Sequence, residues 1–255
     1  MLFLNIASGS KGNVSLVSYG NVNLLIDAGL SLKQIELGLK KANKKLSEIT
    51  DLIITHEHID HVKGLLTFIN NYEINLYMTK GTATELKINN HIEIMSLESF
   101  KIDELTITPL PLSHDAREPI GLIITNTESS LCYITDTGYI HSGMIDLLKN
   151  HNLYYLESNH DPYRLTKCNR PPYIINRISD KKGHLSNYDS AYQFSLMMGP
   201  NTKHLIHAHI SEDCNSYDLI ENTFNEVLAA QNVNDSHVLR YFAKQDEALE
   251  VIYLW

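Results

Sequence analysis

Three histidines and two acids lie within the seven residues 55–61, THEHIDH, directly after the apolar run LII. Alternate residues of a strand share one face, so His56 and His58 can point into one cleft at the end of a buried strand. If a helix begins there, Asp60 and His61 lie in its first turn and face the same cleft. Imidazole and carboxylate groups are ligands for Zn²⁺, Mn²⁺ or Fe²⁺. Four such residues within six positions are too many for one closed tetrahedral site to take from a single short segment, so the cluster predicts two metal ions, each completed by distant residues. The alternative is a solvated, histidine-rich loop.

The composition is that of a globular protein that can bury a core, because 43% of the 255 residues are hydrophobic and 20% are charged. No stretch approaches the roughly 18 consecutive apolar residues of a membrane span. The segment MLFLNIASGSKGN has no basic leader and predicts a first strand. Three cysteines without CxxC spacing predict reduced thiols and a cytoplasmic location. A net charge of −9 argues against a protein that coats nucleic acid, although it allows a local basic site.

Hydrophobic periodicity predicts a layered α/β protein. Short apolar runs at 2–7, 14–18 and 23–27 are typical of a β-meander, and residues 31–45 have helical periodicity with Ser31 as the N-cap. Strands and helices then alternate to the C-terminus, apart from an irregular basic loop at 161–182. We therefore expect a single domain over 1–255, with two mixed sheets and helices on their outer faces.

The pattern H-x-H-x-D-H after a strand resembles the signature of the metallo-β-lactamase superfamily, whose fold is an αββα sandwich. Further motifs occur in the family's order: LLIDAG before this pattern, and LSHDA, YITDTG and IHAHIS after it. The resemblance implies that Asp27 supports the ligand loop without binding metal. His207 is a rival for the last ligand position, because alternation would place it on the same strand face as His209. By this resemblance, one metal is bound by His56, His58 and His114, the other by Asp60, His61 and His209, and Asp136 bridges them.

Three other motifs, SGSKGN, ESNHD and GHLSN, resemble the YycJ/WalJ branch of this superfamily. The same layout resembles the tRNA 3′-processing nucleases, which place a histidine near the scissile phosphate. The resemblance implies that His184 contacts the substrate phosphate or donates a proton, and that Glu157 orients it. Two alternatives remain for His184, a backbone contact at a helix N-terminus or replacement of His209 on the metal. SGSKGN is either an ordinary glycine-containing turn or, by resemblance, part of the site rim.

A local basic segment supports a phosphate-containing substrate. Residues 161–182 carry six basic and two acidic side chains, a net of about +4 in an acidic chain. Basic side chains supply the sequence-independent part of nucleic-acid affinity, and arginine binds phosphate in a bidentate manner. A solvated surface is the alternative. The run KKANKK at 40–45 is typical of a solvated helix end. Candidate base-stacking residues are Tyr139, Tyr163 and Tyr173; candidate phosphate-binding residues are Arg164, Lys167, Arg170 and Arg177.

These features predict a phosphodiesterase with two divalent metal ions that acts on nucleic acid, with DNA favoured over RNA. The branch resemblance implies an exonuclease that acts from a DNA 5′ end. Asp60 would accept or orient the proton of the attacking water, and His184, oriented by Glu157, would protonate the leaving oxygen. The alternatives are a hydrolase of a small phosphodiester or thioester on the same metal core, and a metal-binding regulatory protein without turnover. The sequence is compatible with a homo-oligomer and identifies no protein partner or membrane attachment.

Overall fold

The computed structural model describes all residues, 1–255. The helices are α1 (Leu32–Leu39), α2 (Ile59–Val62), α3 (Leu65–Asn71), α4 (Lys80–Leu86), α5 (Ile145–Leu148), α6 (Pro162–Lys167), α7 (Pro172–Ser179), α8 (Asn187–Met197) and α9 (Tyr217–Ala230). The strands are β1 (Leu2–Ala7), β2 (Val14–Tyr19), β3 (Val22–Ile26), β4 (Asp51–Ile53), β5 (Asn75–Met78), β6 (Ile92–Glu93), β7 (Phe100–Ile102), β8 (Leu105–Pro111), β9 (Ile120–Thr125), β10 (Ser130–Ile134), β11 (Leu153–Glu157), β12 (His204–Ala208), β13 (Leu239–Phe242) and β14 (Ile252–Tyr253). None of these helices has the length and apolar character needed to cross a membrane.

The strands form two mixed sheets flanked by helices, which confirms the predicted fold class. By internal contacts the chain divides into two compact units. The first contains 1–111, 116–129 and 243–255, and the second contains 112–115 and 130–242. That residues 1–255 form a single domain stays a prediction.

The first unit contains a seven-stranded sheet in the order β14-β1-β2-β3-β4-β5-β6. The strands from β14 to β3 pair antiparallel, whereas β3, β4, β5 and β6 are parallel. Parallel strands end at the same sheet edge, so the residues that follow β3 and β4 are brought together there. Strands β7, β8 and β9 of this unit pair antiparallel.

One apolar cluster of the first unit packs helices α1 and α3 against this sheet. Ile35 and Phe68 are fully buried among strand residues such as Leu25 and Leu52. Fully burying a side chain of this size stabilises a fold by roughly 1.5–3 kcal/mol. The cluster therefore fixes the strands whose ends carry the histidine-rich loop.

The second unit is built on four parallel strands in the order β10-β11-β12-β13. Tyr154 of β11 packs edge-on against Phe194 of α8, whose ring in turn contacts Phe224 of α9. The Tyr154 hydroxyl donates to the carbonyls of Leu148 and Met197 at 2.7 and 2.8 Å, so its polar end is satisfied within this core. The carboxyl ends of β10, β11 and β12 meet at one edge, as they do in parallel sheets in general.

Two local predictions were wrong. The predicted helix over 31–45 ends at Leu39, followed by a 3-10 turn that terminates at Asn43 in a left-handed conformation. The predicted irregular loop at 161–182 contains α6 and α7 instead. Asp161 caps α6 by accepting from the backbone N–H of Arg164. Each helix has proline in its first turn, where backbone N–H groups have no partner within the helix, so proline costs no hydrogen bond there.

Candidate metal centre

Asp27 organises the histidine-rich loop of the first unit. It follows β3 in a left-handed conformation, with φ of +62°, and is fully buried. Its carboxylate accepts from the backbone N–H of Thr55 at 2.8 Å and from the Thr55 hydroxyl at 2.9 Å. It also accepts from Nδ1 of His61 at 2.8 Å. Burial raises the pKa of Asp27, while the contacts with His61 and Thr55 oppose that rise. Asp27 therefore fixes the His61 ring, and Nε2 of His61 is the ring atom that would bind a metal ion.

Asn13 of the SGSKGN segment connects this segment to the histidine-rich loop. Its backbone N–H donates to the Asp60 carbonyl at 2.8 Å, and its side-chain Nδ2 donates to Asp60 Oδ2 at 3.1 Å. Its Oδ1 accepts from the backbone N–H of Gly9 at 2.8 Å. A Cβ on Gly29 would lie only 1.7 Å from the Asp60 carbonyl, so glycine is required at this close approach. Sequence analysis did not identify Asn13 as the residue that holds Asp60.

Asp60 and His61 lie in a helical turn, as the sequence predicted, whereas His56 and His58 lie in the loop after β4 and not in the strand, so strand alternation does not place them. His58 is the N-cap of α2, so Asp60 and His61 occupy the first turn of that helix. The His56 ring lies 4.7 Å from the His58 ring and 4.0 Å from the His61 ring, measured between centroids. The four ligand-type residues of the motif thus form one cluster in the first unit.

Glu157 organises the cluster of the second unit. It ends β11, is fully buried, and its Oε1 accepts from Nδ1 of His184 at 2.8 Å and from Nδ1 of His209 at 3.0 Å. Its Oε2 accepts from the backbone N–H groups of Thr137 and Leu185 at 3.0 and 3.4 Å. Burial alone would raise the pKa of Glu157, but the two imidazoles lower it to about 2. Glu157 is therefore an ionised carboxylate that positions two imidazoles.

Asp136 also lies beside these imidazoles. Its Oδ1 is 3.3 Å from Nε2 of His209 and 4.0 Å from Nε2 of His114. Nδ1 of His114 in turn donates to the Gly183 carbonyl at 3.1 Å. Ligand atoms of Asp136, Glu157, His184 and His209 all lie within 4.8 Å of one another. The second unit therefore brings together its five predicted site residues.

The donor sets of both clusters fit divalent metal ions. In His61, His114 and His209, Nδ1 is held by a carboxylate or carbonyl partner, so Nε2 is the atom left for a metal. This arrangement is the usual support of metal-ligating histidines. Asp60 and Asp136 add carboxylate oxygens, which Zn²⁺ and Mn²⁺ both accept. The residues therefore fit the metal chemistry that the motifs predict.

The rival residue His207 lies in the core of the second unit. Its ring packs edge-on against Phe224 and parallel to Phe242, and its Nδ1 bonds the Ser158 hydroxyl at 3.0 Å. Burial, together with the charge of Arg240, lowers its pKa to about 3. The expectation that His207 and His209 share a face was wrong, because β12 ends at Ala208 and the chain turns at His209, where φ is +51°.

Two further polar residues near this cluster lie in the ESNHD motif. Asn159 donates from Nδ2 to the His209 carbonyl at 2.8 Å and thereby holds the residue after β12. His160 is buried, and its Nδ1 has no hydrogen-bond partner. Burial lowers the pKa of His160 to about 4, so this imidazole is neutral near pH 7. The motif was recognised in the sequence, but these two roles were not assigned.

The predicted phosphate-binding residues lie on or beside α6 and α7. Arg164 donates to the Asn215 carbonyl at 2.8 Å, Arg170 pairs with Asp213 at 2.7 Å, and Arg177 pairs with Asp115 at 2.5 Å. The Lys167 ammonium lies 5.6 Å from the centroid of the Tyr163 ring. Tyr139, Tyr163 and Tyr173 are all exposed, as a base-stacking role requires.

Comparisons with known proteins agree with this geometry. A family model described as a beta-lactamase superfamily domain matches residues 22–208. Exodeoxyribonuclease YycJ of Bacillus anthracis is 35% identical over 233 residues, covering 89% of this chain and 88% of the relative. Exodeoxyribonuclease WalJ of Streptococcus pneumoniae is 30% identical over 233 residues, covering 88% of this chain and 87% of the relative.

Solved structures share the fold at low sequence identity. The metallo-beta-lactamase fold protein YhfI from Bacillus subtilis has a TM-score of 0.73 at 14% identity, covering 97% of this chain and 98% of that one. The short form of human tRNase Z has a TM-score of 0.64 at 15% identity, covering 100% of both chains. The motifs, the two clusters and the relatives lead to one conclusion: the chain belongs to the metallo-β-lactamase superfamily and, within it, to the YycJ/WalJ branch.

Proposed function

We propose that this protein is a metal-dependent exodeoxyribonuclease that degrades DNA from the 5′ end in the cytoplasm. Its relatives named exodeoxyribonuclease, at 35% and 30% identity over most of the chain, support the substrate class. The observation that carries the mechanism is the contact of one buried carboxylate, Glu157, with both His209 and His184. Glu157 thus positions a candidate metal ligand, His209, and a partly exposed imidazole, His184. This arrangement suits hydrolysis in which a metal ion and an imidazole act on the same phosphate.

We infer that the site takes two divalent metal ions, Zn²⁺ or Mn²⁺, with Fe²⁺ also compatible with the donors. When bound, such ions lower the pKa of water and neutralise charge on the phosphate oxygens. The assignment follows the superfamily motifs and is supported by three histidines, His61, His114 and His209, whose Nδ1 atoms each contact a carboxylate or carbonyl oxygen. One ion would be held by His56, His58 and His114, the other by Asp60, His61 and His209, and Asp136 would be shared.

The protein's own residues would then handle the protons. Asp60, held by Asn13, would accept or orient the proton of the attacking water. His184 donates from Nδ1 to Glu157, which keeps Nε2 available, and its side chain is 20% exposed. A protonated imidazole in that position would donate from Nε2 to the leaving oxygen of the phosphodiester. The ionised Glu157 fixes the ring by accepting from its Nδ1.

We propose that the segment 161–182 attracts the DNA backbone through Arg164, Lys167, Arg170 and Arg177. Counterion release makes such binding dependent on salt concentration. The exposed rings of Tyr139, Tyr163 and Tyr173 would stack on unpaired bases. That the protein forms a homo-oligomer remains a prediction.

Nucleotide release from DNA labelled at the 5′ or the 3′ end tests this proposal. Protein reloaded with Mn²⁺ or Zn²⁺ should release the 5′ label first as a mononucleotide, and chelator should abolish release. The variant Asp60→Ala should be inactive, whereas Glu226→Gln on the exposed face of α9 should retain wild-type activity. Absence of release from protein that holds two metal ions per chain would contradict the proposal and favour a small phosphodiester or thioester substrate.

A further inference from the structure

The turn between α7 and His184 carries two adjacent exposed lysines, Lys181 and Lys182. We infer that these two lysines and Tyr139 form the nucleotide-binding rim beside His184, where Lys181 and Lys182 neutralise backbone phosphates and Tyr139 stacks on the unpaired terminal base. The inference rests on the proposed nuclease function. It adds this lysine pair to the basic side chains of the segment that attract the DNA backbone.

The arginines of the same segment already have protein partners. Arg170 and Arg177 are paired with Asp213 and Asp115, and Arg164 is bound to a backbone carbonyl. A phosphate would have to displace these acceptors. By contrast, neither Lys181 nor Lys182 has an acidic side chain within ion-pair distance. Their ammonium groups are therefore the cations of this turn that can neutralise phosphate without breaking an existing pair.

The backbone of Lys181 is held against the loops that carry the metal-ligand candidates. Its carbonyl accepts from the Ser113 hydroxyl at 2.7 Å, one residue before His114. A Cβ on Gly138 would lie 2.3 Å from the Lys181 carbonyl, so the loop after Asp136 packs directly on this lysine. Gly138 also donates from its backbone N–H to the Ser113 carbonyl at 2.9 Å. Lys181 thus lies where the loops after β8 and β10 meet.

The chain reaches His184 within two residues of Lys182. Gly183 is buried and donates to the Asp180 carbonyl at 2.8 Å, and His184 donates from its backbone N–H to the Ile178 carbonyl at 2.9 Å. The one acid of the turn, Asp180, uses Oδ1 to accept from the backbone N–H of Lys182 at 2.9 Å. These bonds hold the backbone of the turn that carries both lysines.

Tyr139 supplies an aromatic surface at the same place. It directly follows Gly138, its carbonyl accepts from the Thr137 hydroxyl at 2.8 Å, and the residue is 42% exposed. An exposed ring can stack only on a base that is not already stacked in a duplex. Two exposed lysines and one exposed ring, carried by segments that meet at the backbone of Lys181, therefore suit a single-stranded or frayed 5′ end.

Salt-dependent binding tests this inference. The probe is a fluorescent single-stranded oligonucleotide with phosphorothioate linkages that resist cleavage, and the protein is loaded with Mn²⁺. Each phosphate neutralised on a single strand contributes about 0.7 to the slope of log K against log salt. The double variant Lys181→Ala/Lys182→Ala should therefore lower the slope by about 1.4, which equals about 25-fold in affinity over a tenfold range of salt. The conservative pair Lys181→Arg/Lys182→Arg should restore the slope.

Two comparisons complete the design. The matched control Lys40→Ala/Lys45→Ala removes two exposed lysines from the other basic run and should leave the slope unchanged. Tyr139→Ala should weaken binding about fivefold or more without a change of slope, whereas Tyr139→Phe should bind as wild type. A wild-type slope in Lys181→Ala/Lys182→Ala would overturn this inference and leave the nuclease proposal intact. Wild-type protein that neither binds the probe nor cleaves DNA would overturn both.

Discussion

Replacement of Glu157 by glutamine is predicted to disable the protein without unfolding it. The carboxylate accepts two imidazole N–H groups, from His184 at 2.8 Å and from His209 at 3.0 Å, together with two backbone N–H groups. Glutamine has the same shape but one acceptor oxygen and no charge. Both imidazoles contact Oε1, so in the variant either both of them or both backbone N–H groups would face an NH₂ group. In either orientation the imidazoles would lose the charge-assisted part of their bonds, each worth about 1.5–3 kcal/mol with an ionised carboxylate.

A loss of about 3 kcal/mol at the reacting groups corresponds to about 10²-fold in rate, since each 1.36 kcal/mol is tenfold. That agrees with the 10- to 100-fold losses of activity or metal affinity that follow removal of such supporting carboxylates. The assay is kcat for mononucleotide release, with metal content per chain measured on the same sample. Glu226→Gln makes the same chemical change at an exposed position of α9 and should retain full activity. Wild-type kcat and metal content in Glu157→Gln would refute the reasoning.

Three further outcomes follow from the structure. Gly29→Ala should destabilise the fold by about 1–3 kcal/mol and lower Tm by several degrees, measured by calorimetry, because its Cβ would overlap the Asp60 carbonyl. In metal-free protein, His160 should contribute about 3 kcal/mol to the fall in the free energy of unfolding as pH drops from 6.5 to 4, because its pKa is lowered to about 4 in the folded protein and the unfolded chain binds the extra proton. Buried His207 adds a fall of its own, so the measurement is the difference between urea titrations of the wild-type protein and of His160→Asn. His207→Leu should retain two metal ions per chain by elemental analysis, whereas His209→Ala should lose metal; equal retention in both variants would contradict the ligand assignment.

The part of the candidate site in the first unit could be predicted from the sequence because its ligand-type residues are close together in the chain, within residues 56–61. The strand β4 ends just before THEHIDH, and α2 begins at Ile59, so one junction places all four ligand-type residues together. The motifs of the second unit were found through their resemblance to the superfamily's motifs, and three of them lie at the ends of β10, β11 and β12. Parallel strands present their carboxyl ends at one edge, whatever the chain does between them.

Other features depend on tertiary structure and gave no periodic signal. The role of Asn13 arises from a contact 47 residues away along the chain, with Asp60. The distinction between His207 and His209 depends on where β12 ends, and alternation holds only inside a strand. The helices α6 and α7 were missed although Asp161 followed by proline is a helix-start signal.

The central claim is that His184, held by Glu157, donates a proton to the leaving oxygen of a DNA phosphodiester. The most direct test compares ordinary DNA with DNA whose leaving oxygen at the terminal linkage is replaced by sulfur, which needs no proton to depart. At two metal ions per chain, His184→Ala should be slowed by about 10²- to 10⁴-fold on ordinary DNA and only slightly on the sulfur-substituted DNA. An equal loss on both substrates, or no cleavage of either by the wild-type protein, would contradict the account.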